Sequence, residues 1–269
     1  YLRDWVTLQG GWHPYLPPLV NGQWDLHGLP PPAQFYVELS VPKDMTVIAS
    51  APLGKKRETQ TVVPPVPFFS LSIGRELIQQ DQHSNGSHVV YTYSKRNKQY
   101  GEQVVEAAES AFLFFLLDAG LRPSMEIQMT QAFLYKDIVT TGSRLLYVDS
   151  RLFKVFPSLK KYHEMRLAKG VFSLLWQEIL PWEGPWAIEL MASITAEQFA
   201  KQRYPNASGL KTGLAPIAFL PLVDQILYAN DPILRQVYFK KTASENETIL
   251  SFHQPILPHY ERLKKILSP

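Results

Sequence analysis

The spacing of apolar side chains changes near residue 100, and that change limits the fold more than any other feature. Phe35, Val37, Leu39 and Val41 alternate with Tyr36, Glu38 and Ser40. A period of two is that of a half-buried strand. Met45, Val47 and Ala49 begin a second strand, and residues 58–63 and 67–73 read as two more. Residues 54–57 look like a basic hairpin tip between strands. Residues 79–87 read as a polar loop, after which Val89, Tyr91 and Tyr93 alternate again. Beyond Gly101 the spacing becomes three and four. Val104, Val105, Ala108, Ala111, Phe112, Phe115 and Leu116 form the stripe of a helix, with Gly120 as its natural stop.

The later chain extends this pattern. Residues 125–134 and 145–148 read as strands, with a turn at 140–143. Pro157 and Ser158 suit the start of a long helix: proline tolerates the first turn, and a serine oxygen can cap free N–H groups. That helix runs to about 179, and a second spans about 185–203. Helices are also expected at 217–229, 232–240 and 258–267. The fold class is therefore α+β. An antiparallel β-rich module at 1–98 precedes a mixed domain at 99–269, mostly helical after 157.

Composition excludes several functions. The net charge is +3, with no basic run interleaved with aromatics, so nucleic acid is not an expected partner. There are no cysteines, hence neither disulfides nor thiolate metal sites. No apolar run approaches the roughly 18–20 residues of a membrane span. The chain starts at Tyr1, which suggests a piece of a longer polypeptide. No G-x-S-x-G, G-x-G-x-x-G or G-K-[ST] pattern is present, against a serine hydrolase or a phosphate loop. His13 and His27 sit among Pro, Gly and aromatic residues and read as hydrogen-bonded loop histidines. Asp149 and Arg151, just after a strand, read as structural residues, either a buried ion pair or a hold on the long helix. Lys154, Lys160 and Lys161 read as a solvated basic face.

The chemistry lies on the long helix. His163 and Glu164 begin an H-E-x-x-H pattern, but position 167 is Leu. Residues four apart share a helix face, so two histidines at that spacing bind one Zn²⁺ and the Glu between them serves as general base on metal-bound water. Leucine offers no lone pair, and a catalytic zinc site needs three protein ligands.

The order of pieces resembles the aminopeptidase N-like zinc metallopeptidases, gluzincins with a β-domain before a thermolysin-like catalytic domain. Gly11-Trp12-His13-Pro14 and the run Phe35 through Pro42 look like the end of that β-domain. The run Pro67 through Gly74 looks like the passage into the catalytic domain, and Tyr162 through Ala168 like the zinc helix. The run Pro185 through Ala192 resembles the segment bearing the third ligand. The likeness covers roughly residues 10–205.

The resemblance implies His163 and Glu189 as metal ligands and Glu164 as catalytic base. It also implies a Tyr on a later helix, Tyr228 or Tyr238, that stabilises the tetrahedral intermediate. The departures are specific. The family's ligand Glu follows the second His after eighteen residues, a count that ends on Trp186; Glu189 is three further on. The substrate motif G-x-M-E-N is absent, and residues 125–130 read Met-Glu-Ile-Gln-Met-Thr. The expectation is a domain with a degenerate zinc motif, binding no cofactor. It would be a pseudoenzyme serving as a binding or assembly module of a larger periplasmic or secreted protein, with a protein or peptide partner. The alternative is an active zinc aminopeptidase or metallopeptidase with a substituted ligand.

Overall fold

A computed structural model describes residues 5–8, 19–20, 22–24, 32–50, 61–84, 86–118, 126–134, 137–154, 160–180 and 185–204. In chain order the strands before the first helix are β1 (Trp5–Leu8), β2 (Leu19–Val20), β3 (Gln23–Trp24), β4 (Ala33–Val37), β5 (Met45–Ala49), β6 (Thr61–Val66), β7 (Leu71–Arg75), β8 (Leu77–Ser84) and β9 (Ser87–Ser94). A 3₁₀ turn at Lys95–Asn97 leads into α1 (Lys98–Asp118). Then come β10 (Ile127–Ala132), β11 (Val139–Thr141), β12 (Leu146–Asp149), α2 (Lys160–Ile179) and α3 (Pro185–Arg203). Antiparallel sheets, one mixed sheet and helices together make the α+β class. The chain divides into two compact units, Tyr1–Pro185 and Trp186–Pro269. Of the second, the described part is residues 186–204, α3 beyond its first residue and Tyr204.

In the first unit β5, β7 and β1 form an antiparallel sheet with β7 in the centre. Alternation in 45–49 arises because Ala49 packs with Val66, Phe69 and Leu71 in a small core that Phe35 and Val37 also join. β4 pairs with β6, and the register shifts between Ala33 and Phe35. The shift lies opposite Pro64 and Pro65, which have no N–H to donate to a ladder. The strand expected over 35–41 ends at Val37, where its partner begins at Thr61.

The larger sheet runs β11-β12-β10-β9-β8. Its three inner strands are parallel, and β8 and β11 close the edges antiparallel. Helix α1 is the crossover between parallel neighbours β9 and β10. Two strands of this sheet thus come from before residue 98 and three from after it.

One sheet face carries Val89, Tyr91, Ile127, Met129 and Leu146, all buried. Against it pack α1 and α2, joined by Phe115 stacked on Phe172 (6.1 Å) and edge-on to Trp176 (5.3 Å). On the other face Tyr147 donates its hydroxyl to the carbonyls of Leu8 (2.8 Å) and Leu71 (3.2 Å), tying the two sheets together.

Two expectations need correction. The polar stretch 79–87 is mostly strand: β8 covers Leu77–Ser84 in an unbroken ladder with β9. As an edge strand, β8 can alternate half-buried and exposed polar residues without an apolar signature. The turn at 140–143 likewise gives up Thr140 and Thr141 to the short edge strand β11.

Close approach of helix to sheet depends on glycine. A Cβ at Gly101 would lie 2.2 Å from Tyr93 Cζ, and that ring is almost fully buried. Gly101→Ala is expected to cost about 1–3 kcal/mol, the usual penalty of overpacking. Chemical denaturation would measure it, and an unchanged midpoint would contradict the packing described.

Candidate functional site

Helix α2 presents the sequence-predicted residues, and most of that helix is buried. Tyr162, His163, Glu164, Leu167 and Ala168 all lie within the protein. Leu167, where a second metal-binding histidine would stand, is wholly enclosed. Its side chain belongs to the apolar stripe that continues through Val171, Leu174 and Leu175.

His163 has a defined task. Its Nδ1 accepts a hydrogen bond from the backbone N–H of Phe153 at 3.2 Å. Its ring meets Phe153 edge-on, with centroids 5.7 Å apart, and leans on Tyr162. Phe153 has φ +63°, in the left-handed region that an aromatic residue seldom adopts. Buried non-glycine residues held there cost about 1–3 kcal/mol unless their surroundings fix them. The His163 acceptor is part of that fixing. Burial also pushes the imidazole below the usual histidine range, so it is held neutral.

The bond at Nδ1 sets the tautomer. A neutral imidazole has one donor and one acceptor nitrogen. With Nδ1 accepting, the proton lies on Nε2. A metal-bound histidine has the reverse arrangement: one nitrogen gives its lone pair to the ion and the other donates its N–H to a partner. Glu164 is buried with Lys160 Nζ 3.8 Å from its Oε1, one helical turn back. Arg166 extends toward Asp137, 3.4 Å from its Oδ1. The described residues of α2 therefore do not fit a gluzincin zinc. Leu167 has no donor atom, His163 holds its lone pair against Phe153, and a guanidinium flanks the position.

Of the other predicted residues, Glu189 lies on α3 and the rest lie outside the described residues. Glu189 is partly buried on α3, in the second compact unit, and its backbone carbonyl accepts from Ser193 Oγ at 2.7 Å. Tyr228 and Tyr238 lie outside the described residues, as do His13, His27 and the helices expected after 205.

The segment before α2 is held by Asp149. Its carboxylate is almost fully buried and accepts from Leu134 N (2.6 Å), Arg151 N (2.8 Å) and Arg151 Nε (2.7 Å). The ion pair read from the sequence is present, and it anchors the turn that carries Phe153. Lys154 departs from the expected solvated face. It donates to Asn97 Oδ1 and lies 5.2 Å over the Tyr100 ring. Burial pushes its ammonium below the ordinary lysine range, with Asp149 opposing. Gln131 Oε1 accepts from both Ser94 N (3.0 Å) and Asn97 Nδ2 (2.8 Å), so one polar chain links β10, the start of α1 and the turn before α2. No family model matches the chain, and neither does any curated protein.

Proposed function

We propose that this chain is a metallopeptidase-like domain without zinc chemistry on its central helix. It serves as a protein- or peptide-binding module of a larger extracytoplasmic protein. One observation carries the reading: His163, at the position of a zinc ligand, uses Nδ1 to accept the Phe153 N–H. A second supports it, since Leu167 is packed as a core residue where the next ligand would be. The likeness to a thermolysin-like domain rests on the order of β-module, helix, strands, α2 and α3 along the chain. On this reading the helix survived as a packing element while its donor set did not.

The test is peptide hydrolysis with zinc supplied, for the wild type beside Glu164→Gln and His163→Asn. Asn retains a carbonyl near the Nδ1 position and removes the Nε2 that a zinc ion would use. The expected result is no turnover above that of Glu164→Gln, and a zinc content unaffected by His163→Asn. Turnover abolished by Glu164→Gln, with zinc lost in His163→Asn, would restore the active peptidase with a substituted ligand.

A further inference from the structure

Away from α2, four chemistry-bearing side chains from β8, β9 and the residue before β10 meet on one face of the larger sheet. Ser84 and Ser87 close the β8–β9 hairpin, with Gly86 at φ +87° in its turn. The pairing places His83 directly opposite His88. Asp81 is two residues before His83 and so shares its sheet face. Glu126, immediately before β10, is brought beside His88 by the parallel pairing of Ile127 with Val89. This face is opposite the one covered by α1, toward which Gln82 turns to reach Glu109.

The distances are those of a donor set. Asp81 Oδ1 lies 2.8 Å from His88 Nε2 and 3.2 Å from His83 Nε2. The two imidazoles stack with centroids 3.6 Å apart. One donor atom from each of the three residues falls within 4.8 Å of the others. Ligands about 2.0–2.2 Å from a tetrahedral zinc are about 3.3 Å from one another, so small shifts suffice to place an ion among these atoms.

Hydrogen-bond bookkeeping points the same way. Glu126 Oε2 lies 3.0 Å from His88 Nδ1, and Gln128 Nε2 holds the other Glu126 oxygen. A carboxylate oxygen faces each nitrogen of His88, so positive charge, from a second proton or from a metal ion, balances the two carboxylates. With Glu126 taking the Nδ1 proton, the Nε2 lone pair and Asp81 Oδ1 converge on one point. A cation there satisfies both. This is the carboxylate–histidine–metal relay, in which the outer carboxylate orients the ring and fixes its tautomer. His163 has the opposite arrangement.

We propose that Asp81, His83 and His88 bind a divalent transition ion of the zinc class, with Glu126 as the positioning residue behind His88. Imidazole and carboxylate together suit zinc rather than magnesium or calcium, which take oxygen ligands. His83 is 65% exposed and His88 30%, so the ion has direct access, and three protein donors leave the fourth position to water.

The test is titration of the untagged, metal-stripped chain with Zn²⁺, and with Co²⁺ for its visible spectrum. The expected result is one equivalent bound, with the intense Co²⁺ bands of four-coordination. His83→Ala and His88→Ala should each abolish binding, and Glu126→Gln should weaken it by roughly 10–100-fold. Mg²⁺ should not compete. These substitutions lie on β8, on β9 and just before β10, and circular dichroism would verify that each variant folds. Binding that survives both histidine substitutions, or no binding to the wild type, overturns the proposal. Zinc lost in His163→Asn but retained in His83→Ala would overturn both this site and the non-catalytic reading of α2. Zinc lost only in the hairpin variants leaves that reading intact.

Discussion

Asp149→Ala should destabilise the first unit by about 3–5 kcal/mol, the range for breaking a buried, hydrogen-bonded charge arrangement. In a chain of this size that lowers the thermal midpoint by roughly 6–20 °C. Asp149 is 3% exposed and its two oxygens serve three N–H donors within 2.8 Å. Removing it orphans the Leu134 amide, a penalty of about 1–3 kcal/mol by itself. Arg151, with half its side chain in water, can be resolvated and contributes less. Asp149→Asn should recover little of the loss. An amide has one acceptor oxygen, and its NH₂ would face an N–H donor on one side. A thermal or urea scan of the two variants checks this, and Asn at wild-type stability would mean that the carboxylate is not the hub of this turn.

Much of this architecture was legible because burial imposes a period. Met45, Val47 and Ala49 alternate since one side of β5 faces a core, and the stripe from Val104 to Phe115 repeats since α1 lies on a sheet. The ion pair of Asp149 and Arg151 was also readable from two opposite charges at a strand end. Edge strands were not. β8 has one half-buried side and, among the described residues, no strand beyond it, so Gln79, Gln80, Asp81 and Gln82 sit in a ladder with the composition of a loop. Pairing between parallel strands was equally hidden, because nothing in 87–94 alone says that its partner is 127–132 across a helix.

The hairpin donor set did leave a signal. Asn85-Gly86 between His83 and His88 is the strongest short-range mark of a two-residue turn. A turn there makes the two histidines cross-strand partners and sets Asp81 on their face. Reading the stretch as a loop concealed this. On α2 the residue types were legible without their hydrogen bonds. His163 at the start of H-E-x-x-L and Leu167 in the stripe were both visible, but which nitrogen carries the proton depends on Phe153, ten residues away and in a backbone conformation that no pattern signals.

That hydrogen bond separates a structural histidine from a ligand by stability alone. His163→Ala should cost about 3–4 kcal/mol: about 1–3 for the unpartnered Phe153 N–H, the rest for the ring contacts with Phe153 and Tyr162. His163→Asn, whose carbonyl can replace Nδ1 as acceptor, should cost only about 1–2 kcal/mol. The pH dependence gives a second readout. Burial sets the folded-state value below the ordinary 6.5, so below that pH the unfolded chain takes up a proton that the native imidazole refuses. The histidine's contribution is therefore complete above about 6.5 and is lost progressively as the pH falls toward the depressed value. Asn does not titrate. Urea midpoints at pH 7.5 and 5.5 should thus fall more for the wild type than for His163→Asn. Equal falls, or an Asn variant as weak as Ala, would show that Nδ1 is not the acceptor of the Phe153 amide and would reopen His163 to a metal.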